Sequence, residues 1–316
     1  MKQDNIPITP LQQAVLSVLC YFNVFQHPLT LDEIRLNCSI PANNKDVEKV
    51  ASELLEIGII SNHSGFYFLK DQDATIVQER KVKENRAINE LQKSQKYTRL
   101  ISRFPFVKAV CISGSLSKGV METDGDVDYF IITEKGRLWI CRSLLIAFKK
   151  LFLLNSRKYF CTNYFVDTEN MVIPDKSIFT ATEINYLKPV CNELLVDKMR
   201  IENNWTEQFT PNYKRPDCED CFPESRNGMK RFFEFCMKGN AGEKLDNYFF
   251  RLTLKRWKKK FPHFNAEDFD LNMRSRKNVS KHHPRGYQQK VLIAHEQKLR
   301  EILQTNDVER LKTVAA

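Results

Sequence analysis

The amino-acid sequence predicts an α+β protein in three parts. Residues 1–72 contain three segments that repeat apolar side chains at helical spacing, followed by two short strand-like runs. In residues 73–175, apolar strand-like runs alternate with helical segments, which is typical of a mixed β-sheet with flanking helices. In residues 176–316 the apolar spacing is helical, so we expect a C-terminal helical domain.

The N-terminal part has clear helix boundaries. Thr9 precedes a proline that opens an apolar repeat, and Thr30 precedes a second repeat, so we expect both threonines to be N-caps. We expect a third helix over residues 44–56 and a hairpin over residues 59–69. Three helices followed by a hairpin resemble a winged helix-turn-helix, so the sequence predicts a winged-helix-like module in residues 1–72.

A winged helix often binds DNA through its third helix. Here that helix is acidic on balance, whereas a helix that reads DNA usually offers Arg, Lys, Asn or Gln to the groove. We therefore favour a structural or protein-contact role for this module over DNA reading.

The central part begins with a long charged helix, residues 73–102, which joins the N-terminal module to the sheet. Strands are expected over residues 107–113 and 127–133. A helix over residues 137–154 and a further strand over residues 158–167 complete the strand and helix alternation.

After Pro174 the pattern is helical. The expected helices cover residues 180–187, 190–199, 223–237, 243–260 and 287–303. Residues 275–286 are rich in hydrogen-bond donors and poor in apolar side chains, so we expect a loop there.

Composition indicates a cytoplasmic protein. The 316 residues carry no export-like N-terminal segment, and nine cysteines without a disulfide framework favour reduced thiols. The most apolar stretch, residues 138–154, includes three cationic side chains, so it does not resemble a membrane span and no membrane partner is expected.

The net charge of +10 is concentrated near the C-terminus. Residues 251–290 contain twelve Lys and Arg against three Asp and Glu. Such a segment suits a polyphosphate or a nucleic-acid backbone, which makes it a candidate for nucleic-acid contact. A solvated basic face without a ligand is the alternative interpretation.

One stretch combines two features suited to nucleotide chemistry. The apolar run over residues 107–112 leads into Gly114-Ser115, where backbone N–H groups and a hydroxyl can face an anion. After ten intervening residues, Asp126 and Asp128 begin the next strand, and the two-residue period of a strand places both carboxylates on one face. Two carboxylates held together favour a divalent cation, which binds oxygen ligands. The alternative is a polar turn that merely leads into a strand.

The order and spacing of these residues resemble the signature of the DNA polymerase β-like nucleotidyltransferase superfamily. The resemblance implies that Gly114 and Ser115 hold the β- and γ-phosphates of a nucleoside triphosphate, with Ser117 and Lys118 assisting. It also implies that Asp126 and Asp128 bind Mg²⁺ or Mn²⁺. A helical region after the sheet occupies the place where many such enzymes close over the nucleotide or the acceptor.

The resemblance weakens at the third carboxylate. Active members of the superfamily usually carry another Asp or Glu on a later strand, facing the pair, whereas the matching strand here has Asn163 near its centre and Asp167 at its end. Strand alternation predicts that Cys161, Asn163, Phe165 and Asp167 share a face. Either Asp167 serves as the acid or Asn163 takes the position as a neutral ligand, which cannot act as a base.

Two functions follow from these features. The first is an Mg²⁺-dependent nucleotidyltransferase that moves a nucleoside monophosphate from an NTP to an unidentified acceptor, which is a small molecule, a protein or a nucleic acid. The second is a regulatory or binding protein with a catalytically silent nucleotidyltransferase fold, which acts through the winged-helix-like module.

Overall fold

The computed structural model describes residues 8–156, 158–216, 218 and 220–304. Within these ranges the chain is an α+β protein with twelve α-helices, a mixed six-stranded sheet and a two-stranded hairpin near the N-terminus. The α+β class is therefore confirmed. The predicted domain ends at residues 1–7 and 305–316 lie outside the described residues.

The N-terminal elements follow the prediction closely. Thr9 and Thr30 each accept a hydrogen bond from the backbone N–H three residues further on, and each forms a capping box. The elements are α1 (Pro10–Asn23), α2 (Leu31–Asn37), α3 (Asn44–Glu56), β1 (Ile60–His63) and β2 (Phe66–Leu69).

The central elements also match the expected order. A long helix leads into a strand, a single helical turn, a second strand, a helix and a third strand. These are α4 (Thr75–Ser102), β3 (Val107–Ser113), α5 (Gly114–Ser117), β4 (Asp128–Thr133), α6 (Leu138–Phe152) and β5 (Cys161–Asp167).

The prediction of a purely helical C-terminal domain is wrong. Three short strands from this region join the central sheet, so the sheet is not confined to residues 73–175. The elements are α7 (Ile178–Asn185), β6 (Lys188–Cys191), α8 (Glu193–Glu202), α9 (Gly228–Cys236), α10 (Gly239–Lys260), α11 (Ala266–Met273), β7 (Ser275–Arg276), β8 (Val279–Lys281) and α12 (Tyr287–Gln304). Strands of two to four residues are too short to carry a readable apolar period, and only their pairing defines them.

The six strands lie in the order β6-β3-β4-β5-β8-β7. The pair β4 and β5 is parallel, and the neighbouring pairs are antiparallel. Helices α4, α6 and α10 contribute to the apolar core on one face, and α7 and α8 contribute to the core on the other. Because both faces are covered, β4 is almost completely apolar after Asp128.

Among the helices of the described ranges, none combines the length and the apolar character that crossing a membrane requires.

The core of the N-terminal part is completed by the C-terminal region. Phe179 of α7 and Val291 of α12 are buried in the same apolar cluster as the inner side chains of α1, α2 and α3. One turn further along the same face of α12, the His295 ring nitrogen lies 3.1 Å from the Ser17 hydroxyl of α1. Residues 8–72 are thus packed against the rest of the molecule and share their core with it.

Truncation of Val291 tests this shared core. Val291 is only 1% exposed, and Val291→Ala removes its two methyl groups from the core. We therefore expect the free energy of unfolding to fall by about 2 kcal/mol. Ile293→Ala is the matched control, because Ile293 lies on the same helix and is 55% exposed. The control should change stability by less than about 0.5 kcal/mol in a urea titration. Equal, small losses in both variants would contradict a shared core.

Candidate functional site

The Gly-Ser turn lies directly against the second aspartate. Ser113, the last residue of β3, pairs with Asp128, the first residue of β4. Gly114 follows with φ +68°, and a Cβ atom at this position would lie 2.8 Å from Asp128 Oδ2. Both the backbone angle and the close approach therefore require glycine.

The turn after β3 is a single helical turn, α5. The Ser117 hydroxyl donates to Gly114 O at 2.8 Å, which closes the turn internally. Ser115 is exposed, so its hydroxyl faces solvent at the start of the turn. The first N–H groups of a helical turn have no partner within it, which suits them to an anion, although one turn adds little of a helix dipole.

Asp126 and Asp128 flank a residue that is anchored to the neighbouring segment of β5. Val127 between them is fully buried, and its N–H donates to Lys158 O at 2.7 Å while its carbonyl accepts from Cys161 N at 3.3 Å. The charge of Asp126 is among the influences that raise the pKa of Asp128, so the two carboxylates lie near each other. That they share one face of the strand stays a prediction.

The environment of Asp128 disfavours its charged form. Burial raises the pKa of Asp128 to about 7. The negative charges of Asp126 and Glu183 act in the same direction, while the positive charge of Lys118 opposes them. A cation between the carboxylates would relieve this penalty.

A β-bulge breaks the alternation of β5. Asp128 is opposite Cys161 and Tyr129 is opposite Thr162, but Phe130 is opposite Tyr164, which leaves Asn163 as the extra residue. The prediction that Cys161, Asn163, Phe165 and Asp167 share one face is therefore wrong. Tyr164 stacks on Phe130 on one side of the sheet, and Phe165 is buried in the core on the other side.

Asn163 contacts the aspartate pair directly. Its Nδ2 donates to Asp128 Oδ1 at 2.6 Å, and its Oδ1 accepts from the Cys161 thiol at 3.3 Å. The amide thus fixes the orientation of one Asp128 oxygen. Since an amide cannot take up a proton at neutral pH, Asn163 is a positioning residue here and supplies no acid or base.

Asp167 does not reach the pair. It is opposite Thr133 at the far end of β5, six residues beyond Cys161 and thus about 20 Å along the strand. Its Oδ1 accepts from the backbone N–H of Glu169 at 3.2 Å and from the side chain of Asn170 at 2.9 Å. The expectation that Asp167 could serve as the third acid is therefore wrong, because no slide of one or two residues spans this distance.

Glu183 on α7 is a carboxylate near the site that sequence reasoning missed. Its Oε1 lies 2.6 Å from Lys118 Nζ, and its charge is among the influences that raise the pKa of Asp128. Lys118 Nζ also donates to Gly114 O at 3.2 Å, so the ion pair spans from α7 to the Gly-Ser turn. No local pattern could have identified Glu183, since it lies 55 residues beyond Asp128 in a helix with ordinary apolar spacing.

In the part of the chain that the structure describes, no three His, Cys, Asp or Glu side chains are grouped so that they alone could hold a metal ion. The candidate metal ligands are thus the two carboxylates of Asp126 and Asp128. This number is sufficient for Mg²⁺, which is commonly bound through one or two carboxylates while substrate phosphates and water complete its shell.

The donor-rich segment at residues 275–286 is not simply a loop. Its first half forms β7 and β8, and the N–H of His282 donates to Asn163 O at 3.0 Å. The segment therefore lies beside β5, next to Asn163.

The basic residues of 251–290 divide into two groups. The first group is neutralised within the fold: Arg274 and Lys281 both pair with Asp175, and Arg276 and Lys277 also form ion pairs. The second group forms no ion pair with any described residue. Six of its members lie on the outer part of α10, and the other two, Arg285 and Lys290, lie further along the chain; the six are Arg251, Lys255, Arg256, Lys258, Lys259 and Lys260. Any anionic partner of this segment would therefore meet α10 first.

Substitution of Gly114 tests the close approach to Asp128. Gly114→Ala introduces left-handed strain and a contact with a carboxylate that Asn163 holds in place. Gly119→Ala is the matched control, since Gly119 has φ +76° but open space around its Cβ position. We expect the control to lose about 1 kcal/mol of unfolding free energy and Gly114→Ala to lose about 1–3 kcal/mol more. Equal losses in urea titrations of the two variants would contradict the proposed contact.

The pKa of Asp128 predicts a specific pH dependence. The ordinary pKa of Asp is 3.8, and that of Asp128 in the folded protein is about 7. At pH values between these two, the folded protein retains a proton on Asp128 that the unfolded chain releases. Without divalent cations, the wild type should therefore lose stability relative to Asp128→Asn as pH rises through this window, with no further loss above it. Unfolding free energies at pH steps from 4 to 8 measure the difference. A constant difference, or a relative gain for the wild type, would contradict the prediction.

Comparisons with known proteins identify no relative. No protein-family model matches the chain, and searches of curated proteins and of solved structures find no significant match. The resemblance to the nucleotidyltransferase superfamily thus rests on the motif residues alone.

Proposed function

We propose that the protein is an Mg²⁺-dependent nucleotidyltransferase that transfers a nucleoside monophosphate from an NTP to an unidentified acceptor. The observation that carries the proposal is the close approach of the Gly114-Ser115 turn to Asp128, with Asp126 near enough for its charge to act on Asp128. A turn suited to phosphate and a carboxylate pair suited to a cation lie side by side, as the superfamily resemblance implies. The central sheet would be the nucleotidyltransferase core, and residues 8–72 the winged-helix-like module.

The residues present fit a divalent cation. Asp126 and Asp128 offer oxygen ligands near each other, and burial together with nearby negative charge raises the pKa of Asp128. A bound Mg²⁺ or Mn²⁺ would favour the charged carboxylate and so offset this effect. When bound, the cation would neutralise charge on the α-phosphate and activate the attacking oxygen.

The chain itself would bind and orient the substrate. Ser115 and the backbone N–H groups of α5 would hold the leaving phosphates, because they face solvent next to the carboxylate pair. Lys118 lies at the same turn and would add positive charge, shared at present with Glu183. Asn163 would keep Asp128 in one orientation through its 2.6 Å hydrogen bond.

Glu183 would take the place of the missing third acid. Asn163 occupies the strand position at which the superfamily usually has a carboxylate, and Asp167 is remote. Glu183 lies on the same side of the sheet as the pair, on α7. Its carboxylate could accept a proton from an acceptor hydroxyl once Lys118 turns to the phosphates.

The cysteines support the proposed cytoplasmic location. All nine are free thiols, and six of them are buried. Free buried thiols persist in a reducing compartment.

Titration with Mg²⁺ and each NTP tests the site. With both ligands present the wild type should unfold at a higher temperature. At a ligand concentration of one hundred times Kd, binding should raise the free energy of unfolding by about 2.7 kcal/mol. Asp126→Ala should lose this effect and slow pyrophosphate release by roughly 10²-fold or more, since several kcal/mol of charge stabilisation depend on the metal. Asp124→Ala is the matched control, because Asp124 is exposed two residues earlier in the same loop. If wild type and Asp126→Ala respond alike, the proposed metal site is wrong.

The alternative is a catalytically silent protein of the same fold that acts through the N-terminal module. The observation in its favour is Asn163, which cannot replace a carboxylate base. Tight Mg²⁺-dependent NTP binding without pyrophosphate release from any acceptor class would favour this alternative. The charges on the exposed face of α3 are mixed and include Asp46, Glu48 and Glu56, which argues for a protein contact over DNA reading.

A further inference from the structure

Helix α9 is packed with two charged side chains, Lys230 and Glu234, turned inward. Lys230 is 2% exposed, and its Nζ donates to Val107 O at 2.6 Å and to Ser102 O at 3.3 Å. One turn further on, Glu234 Oε1 accepts from the Phe106 N–H at 2.8 Å. These polar contacts fix the rotation of the helix against the segment between α4 and β3.

The opposite face of α9 is apolar and exposed. Met229, Phe232 and Phe235 are exposed by 73%, 64% and 71%, and Phe233 by 43%. In a soluble protein an amphipathic helix normally turns such side chains inward. Because the buried contacts of Lys230 and Glu234 prevent that rotation, the aromatic face is held outward.

The charges around this face are positive. Arg226, Arg231 and Lys238 are exposed and form no ion pair with any described residue. Lys238 Nζ lies 5.8 Å from the centre of the Phe235 ring. A second copy of the chain would bring the same cations together, so the charge favours an anionic partner.

A second apolar cluster borders the same segment of the fold. At the end of α6, Leu151, Phe152 and Leu154 are exposed by 74%, 69% and 92%. Phe152 packs on Phe148, which in turn contacts Phe104 between α4 and β3.

The start of α9 is tied to that segment as well, since Asn227 Nδ2 donates to Arg103 O at 3.3 Å. The two clusters thus flank one stretch of chain, with Arg103 and Lys150 exposed beside them. An occupant that covers both would be broad and would contact protruding side chains.

We propose that the aromatic face of α9 and the end of α6 bind the surface of an anionic lipid bilayer. Apolar side chains that project from a helix enter the boundary between headgroups and acyl chains, while neighbouring Lys and Arg contact lipid phosphates. A fluid bilayer adapts to a convex helix, whereas a protein partner would need a matching groove. The proposal departs from the expectation of no membrane partner, which was based on the absence of a spanning segment; surface binding requires none.

Flotation of the full chain with lipid vesicles tests the proposal. The protein should float with vesicles of phosphatidylglycerol in phosphatidylcholine and much less with phosphatidylcholine alone. The double variant Phe232→Ser/Phe235→Ser should weaken binding by at least about 10-fold, because two large apolar side chains no longer enter the bilayer. Its thermal unfolding should be unchanged, since both side chains are exposed. The matched control is Val172→Ser/Ile293→Ser, at side chains of 53% and 55% exposure elsewhere on the surface, which should bind as the wild type does.

Three results would overturn the proposal. The first is no flotation of the wild type with anionic vesicles. The second is that the wild type and the phenylalanine double variant bind vesicles equally and that high salt abolishes the binding of both proteins. This result would assign the binding to the unpaired cations of α10. The third is flotation that is insensitive to the double variant while binding to an acidic protein is lost, which would assign the face to a protein partner.

Discussion

The candidate site depends on one close approach, between the backbone at Gly114 and the carboxylate of Asp128. A side chain at Gly114 would occupy the space of Asp128 Oδ2, so the end of β3 and the start of β4 can pair there only around a glycine. Asn163 holds the same carboxylate from the other side, on β5. Three adjacent strands therefore define the position of one side chain, which is the kind of preorganisation that a metal or phosphate site requires.

The electrostatics of the site follow from this packing. Asp128 is surrounded by two further negative charges, Asp126 and Glu183, and burial adds to their effect on its pKa. Lys118 is the nearby cation, and Glu183 already engages it. The carboxylate pair therefore has less positive charge around it than its negative charge requires. A bound cation would supply the missing charge, and the repulsion that disfavours the empty pair would then favour binding.

The C-terminal region holds the molecule together. It adds β6, β7 and β8 to the sheet, places Glu183 beside the Gly-Ser turn, and completes the N-terminal core with Phe179 and Val291. The same region contains α9, in which Lys230 and Glu234 make inward polar contacts while the phenylalanines face outward. The exposed apolar side chains of a helix in that orientation do not stabilise the isolated fold. An external partner that covers them therefore explains the orientation better than the fold alone does.

The α+β class, the caps at Thr9 and Thr30 and the central strands could all be predicted from the sequence alone, since each depends on spacing between near neighbours. The site around Asn163, the C-terminal strands, Glu183 and the outward face of α9 depend on the tertiary structure. The bulge at Asn163 breaks the alternation of β5, and Asp167 lies at the far end of that strand, away from the pair. Pairing between distant segments forms β6, β7 and β8 from two- to four-residue runs that have no readable period. The position of Glu183 beside the site and the outward orientation of α9 also depend on which helices pack together. Contacts between residues tens of positions apart produce no pattern in the local sequence from which they could be predicted.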